Sequence, residues 1–146
     1  MKRAGITFIM LAMLASTLAI TSGCGGPGPV EVWNKFVRDV EYGNKSERWN
    51  SWSARMTTIL AESSEARGET DAVPRDDTET DFLKDGASIK DYETRGNKTL
   101  LKFTVPERAG ELITAVLFKE NGEWKVDDTG QSYAVGSDGQ MPQRTW

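Results

Sequence analysis

The chain is predicted to be α+β, with N-terminal helices packed on a curved, antiparallel, four-stranded sheet. Three observations point there. Apolar residues recur at helical spacing from Val30 to Leu60, and after Gly86 the period falls to two. Gly96-Asn97 and Asn121-Gly122 are two-residue hairpin signals. Helices first and strands after is the order of an α+β domain, not of an alternating α/β one.

Taken in order, residues 29–42 carry Val30, Trp33, Phe36, Val37 and Val40 on one helical face. Pro29 suits the first turn, Glu31 the positive end of the helix dipole, and Gly43 the stop. Asn44 and Glu47 have the spacing of a capping box. Trp49, Trp52, Met56, Ile59 and Leu60 then continue a second helical region, broken near residues 51–53 and ending before Gly68. Residues 62–85 hold nine acidic and three basic side chains and read as solvated loop or weak helix. Asp77-Thr78-Glu79-Thr80-Asp81 alternates oxygen-bearing side chains, but Phe82 stands where a calcium loop needs glycine, so no metal is expected. Strands are expected at 89–95, 98–105, 111–119 and 124–128. Two-residue turns would pair Tyr92 with Leu101, Lys90 with Phe103, Leu117 with Val126, and Lys119 with Trp124. Tyr92, Leu101, Phe103, Leu117, Trp124 and Val126 would then face inward, with Asp91 opposite Lys102 outside. Residues 129–146, rich in Gly, Ser and Gln, read as a flexible tail.

Composition narrows the chemistry. The 146 residues fit one domain and include 22 acidic and 18 basic side chains, one cysteine and no histidine. Without histidine there is no imidazole acid–base pair, no serine triad and no His-ligated metal. A single cysteine excludes an intrachain disulfide and a cysteine-cluster zinc site. A net charge of −4 argues against nucleic acid, whose phosphates require a basic face. No glycine-rich phosphate loop or nucleophile elbow occurs, and no cofactor is expected.

Residues 1–23 form a separate unit: Met1-Lys2-Arg3, an apolar or small run from Ile6 to Ile20, then Thr21-Ser22-Gly23 before Cys24. This is the three-part layout of a secretory signal. The stretch Leu18-Ala19-Ile20-Thr21-Ser22-Gly23-Cys24 resembles the lipobox of bacterial lipoproteins. That resemblance implies a diacylglyceryl group on the Cys24 thiol and cleavage just before it. An uncleaved anchor and an ordinary secretory cleavage are the alternatives. Gly25-Gly26-Pro27-Gly28 then make a tether of residues 24–28. Two or three acyl chains, at ~0.8 kcal/mol per buried methylene, hold a protein firmly to a membrane. The location implied is the bacterial cell envelope, at the outer membrane in a two-membrane cell because no aspartate follows Cys24. The mature chain would have 123 residues, with 16 basic and 22 acidic side chains.

The helix-then-meander order joins a more specific pattern, Val116-Leu117-Phe118-Lys119-Glu120-Asn121-Gly122-Glu123-Trp124-Lys125-Val126-Asp127. With Pro29-Val30-Glu31-Val32-Trp33 and the Tyr42-Gly43-Asn44 break, it resembles the NTF2-like, cystatin-like, cone-shaped superfamily over residues 29–128. Within it, the chain looks like the small bacterial lipoproteins grouped as DUF4878 or lumazine-binding-like domains. The resemblance implies a cone whose mouth takes a ligand, and the aromatic and polar candidates to line it are Trp49, Trp52, Lys90, Tyr92, Phe103 and Trp124. Fold does not choose among the superfamily's functions. The leading reading is a non-catalytic, membrane-anchored domain binding a small hydrophobic molecule or an envelope protein, with no catalytic residue assigned. One alternative is an isomerase- or dehydratase-like enzyme using a buried carboxylate or Tyr92. Another is a homodimeric scaffold joined through Leu112, Val116 and Phe118 on the outer sheet face.

Overall fold

In a computed structural model of the chain, residues 26–130 are described. Cys24, the expected signal segment 1–23 and the expected tail over residues 131–146 lie outside them. The apolar stripe of the first helix, α1 (Pro29–Glu41), buries Trp33, Phe36, Val37 and Val40 together. Glu31 accepts from the Gly28 N–H at 3.0 Å and closes the first turn. At the other end Gly43 takes φ +69°. Its N–H donates to the Val40 carbonyl (3.1 Å) and that of Asn44 to the Asp39 carbonyl (2.8 Å), the paired bonds of a Schellman stop.

The second helical region is divided as expected, into α2 (Lys45–Ser51) and α3 (Ala54–Ala66). The break at Trp52 and Ser53 is extended backbone, and it lets Trp52 bridge Val126 while the Ser53 N–H donates to the Val126 carbonyl at 2.8 Å. The expected capping box at Asn44 is not made. Asn44 instead donates to Asp39 at 3.4 Å, and Glu47 accepts from Lys35 at 3.1 Å. The acidic stretch 62–85 is less solvated than its composition suggests. It contains α4 (Asp77–Thr80) and a 3-10 turn (Asp81–Leu83), and it buries Asp76, Thr80, Phe82 and Leu83.

Four strands, β1 (Ser88–Arg95), β2 (Lys98–Thr104), β3 (Ile113–Glu120) and β4 (Glu123–Asp128), form an open antiparallel sheet in the order β1-β2-β3-β4. The third begins two residues later than expected, after Leu112. Both hairpins turn on the expected dipeptides. Asn121 and Gly122 have φ +50° and +86°, the double left-handed pattern that lets a two-residue loop follow the strand twist.

Tyr92 opposes Leu101, Leu117 opposes Val126, Lys119 opposes Trp124, and Asp91 opposes Lys102, as alternation requires. Lys90 does not oppose Phe103. A bulge between Ile89 and Asp91 gives that place to Ile89, so the lysine has no opposing residue. Leu101, Phe103, Ala115, Leu117 and Val126 enter one core with the helices. Tyr92 shares their face but is 54% exposed, because α1, α2 and α3 all pack against β4 and leave β1 uncovered beyond Ile89. At the C-terminal end of β4, Thr129 belongs to the folded body and not to a tail. It is buried, and its hydroxyl donates to the Glu79 carbonyl at 2.8 Å.

Candidate functional site

Aromatic rings occupy the interior. Trp33 lies 4.8 Å from Phe103 and 5.8 Å from Phe36, centroid to centroid, while Phe36 meets Trp52 edge-on at 4.8 Å. Phe82 closes the far side of Phe103 at 6.3 Å, under the Arg108 guanidinium. Trp52 and Phe103 are therefore core residues. Trp49 is half-buried and packs on the rim of that core, as does Trp124. Lys90 and Tyr92 stand exposed on β1. The six residues do not converge on one cavity.

Beneath α2 lies a polar clamp. Arg48 donates from Nε to Asp76 Oδ2 (3.0 Å) and from Nη2 to Oδ1 (2.6 Å), with both side chains buried. The Trp52 indole N–H donates to the same carboxylate at 3.0 Å. This bond to Asp76 holds the Arg48 guanidinium above its ordinary value against the cost of burial. Nothing local distinguishes Asp76 from the other acids of its stretch, and the clamp was not visible in the sequence. A second clamp joins α3 to β4. Arg55 grips Asp127 through Nε (3.0 Å) and Nη2 (2.9 Å), and the Ser53 hydroxyl donates to Asp127 at 2.6 Å. Asp39 is buried as well and accepts from Lys35 at 2.7 Å.

An open concavity survives at the surface, a cleft of about 320 Å³ where four segments meet. Gly26 and Pro27 form one wall, α1 supplies Glu31, Val32 and Lys35, and α2 supplies Glu47, Asn50 and Ser51. Glu123, Trp124 and Lys125 of β4 complete it. Its apolar surfaces are Pro27, Val32 and the Trp124 ring. Its rim alternates in sign: Lys35 bonds Glu47 at 3.1 Å, and Lys125 bonds Glu123 at 3.1 Å and the Asn50 carbonyl at 2.9 Å. Asp39 holds the Lys35 ammonium above its usual 10.5, opposed by burial and helped by Glu47.

Of the six predicted residues only Trp124 lines this cleft. Val32 was the available signal for the rest. It is an apolar residue off the Trp33–Phe36–Val40 stripe, with Lys35 one turn further along the same flank. Among the described residues no helix is long and apolar enough to cross a membrane.

A family model described as "Domain of unknown function (DUF4878)" matches residues 22–127. The match covers both clamps and all four segments that line the cleft. No curated protein matches the chain.

Proposed function

Since the chain belongs to the DUF4878 family, a domain without an assigned function, we propose that it is a lipid-anchored protein of the bacterial cell envelope. Cys24 carries the lipid, and an NTF2-like domain binds a partner at its surface without catalysing a reaction. The observation that carries the binding half is the filled interior. Trp52 and Phe103, the two predicted pocket residues nearest the centre, are consumed by ring contacts at 4.8 Å with α1 aromatics. A ligand pocket needs concave apolar space, and such space lies outside, at the cleft.

The buried carboxylates favour binding over catalysis. Of the four buried aspartates among the described residues, Asp39, Asp76 and Asp127 are each engaged by a cation, from Lys35, Arg48 and Arg55 in turn, and Asp128 accepts from the Gly130 N–H at 2.7 Å. A general acid must instead reach a substrate proton. The anchor is supported by the lone cysteine closing the apolar run, two residues before the first described one. Intact mass of protein extracted from its native membrane is the test. The expected species begins at Cys24 and carries diacylglyceryl and acyl additions, and Cys24→Ser moves the protein to the soluble fraction. An unmodified chain beginning at Met1 would overturn the anchor.

A further inference from the structure

We propose that the cleft beside the tether is the surface the domain lays on the bilayer, where it seats a zwitterionic, phosphoethanolamine-type lipid headgroup: phosphate on Lys35 and Lys125, ammonium on the neighbouring glutamates against the Trp124 ring. This rests on the reading that Cys24 carries the lipid.

Reach is the first argument. Gly26 and Pro27 are themselves a wall of the cleft. The two residues back to Cys24 span at most ~7 Å when extended. A lipid on that sulfur plants the headgroup layer at the mouth of the cleft, whatever path the tether takes.

Surface chemistry is the second. Trp124 is half-buried beside Val32, the amphipathic arrangement that places indole rings at membrane–water interfaces. Lys35 and Lys125 carry their charge on long apolar stems, which suits an ammonium reaching a phosphate from an apolar floor. The rim holds three glutamates against these two lysines in close opposed pairs, at 3.1 Å for Lys35–Glu47 and for Lys125–Glu123. A purely anionic headgroup meets the glutamates unfavourably. A zwitterion exchanges partners with both signs.

Orientation is the third. Glu47, Asn50 and Ser51 share one face of α2, while Arg48 lies about 100° around it from Glu47 and, with Trp52 just past the helix end, holds Asp76 of the acidic stretch. Asp76, in a stretch that holds nine acids to three bases over residues 62–85, thus meets α2 on a different side from the cleft. A negatively charged membrane repels that side and leaves the cleft as the facing one.

The test uses full-length acylated protein, fluorotryptophan-labelled, in nanodiscs of phosphatidylethanolamine with phosphatidylcholine and a nitroxide-headgroup lipid. The Trp124 fluorine resonance is identified by its loss in Trp124→Phe. It is expected to broaden at least threefold more than that of buried Trp52, and less in phosphatidylglycerol discs. Lys125→Glu should halve the difference, and Lys35→Gln serves as the second variant should that one fold poorly. Intact mass on the same sample separates the two readings. Acylated protein with a sharp Trp124 signal overturns the headgroup site and leaves the anchor, whereas unacylated protein overturns both. Equal broadening in phosphatidylglycerol overturns the zwitterion assignment. A Trp124 signal perturbed only in native envelope vesicles gives the cleft to a protein partner and overturns the proposal.

Discussion

Trp33 and Trp52 are the same side chain in two electrostatic settings. Both are buried, but the Trp52 N–H donates to the Asp76 carboxylate while Trp33 Nε1 has no acceptor among the described residues. A hydrogen bond to a charged group contributes ~1.5–3 kcal/mol, and burying an unpaired donor costs ~1–3 kcal/mol. Trp52→Phe is therefore expected to destabilise the fold by about 2 kcal/mol more than Trp33→Phe, as read from urea unfolding. Asp76→Ala leaves the Arg48 guanidinium buried without its partner, and the expected loss is ~3–5 kcal/mol with an unchanged urea slope. The sequence marked both tryptophans as apolar-face residues. It could not say which of them would find an acceptor, because Asp76 reaches Trp52 from 24 residues away across a loop.

At the level of elements, Ser53 joins two of them. Its hydroxyl accepts from the Met56 N–H at 3.1 Å, capping α3, and donates to Asp127 of β4 at 2.6 Å. Ser53→Ala should cost ~2 kcal/mol, above the usual ~1 for a cap alone, measured by thermal or urea unfolding. The far end of α3 is pH-sensitive. Arg67 first, then Ser64, hold the Glu69 carboxyl down at about 2, below its usual 4.5. The stabilisation is present above pH 4.5 and is lost as pH falls toward 2. The protection factors of the Gly68 and Glu69 amides, which close that helix end, should therefore fall on acidification across this window, as read from hydrogen exchange corrected for the intrinsic rate at each pH. Glu69→Gln should abolish the change. Element positions were largely legible because caps, stops and turn dipeptides act over three or four residues. Gly43 and Gly68 both close helices at positive φ, and Asn121-Gly122 turns its hairpin, all as local rules require. The bulge at Lys90 was not legible, since no residue in β1 signals it.

At the scale of the whole molecule, charge is segregated. Residues 62–85 carry nine acids and three bases, while the other described residues carry 12 of each. The proposed anchor places on a membrane the end of this body that bears the cleft, where both signs of charge meet. A Cys24→Ser chain should keep the same urea midpoint as the mature protein once solubilised, because no described element includes that residue. Unfolding curves of the two, recorded in the same detergent, check it. Tyr92 marks the boundary between what local pattern decides and what assembly decides. Its pairing with Leu101 followed from the hairpin, yet its exposure followed from the helices landing on β4. The cleft has the same origin: Val32, Glu47 and Trp124 are far apart in the chain and meet only because α1 and α2 dock on the start of β4. By itself the sequence determined the longer helices, the strands, their turns and the strand pairing outside the Lys90 bulge, because each depends on neighbours a few positions apart. Only the tertiary structure decided which aromatic rings fill the core, which acid is buried and where a concave surface remains, because those depend on how the helices cover the sheet.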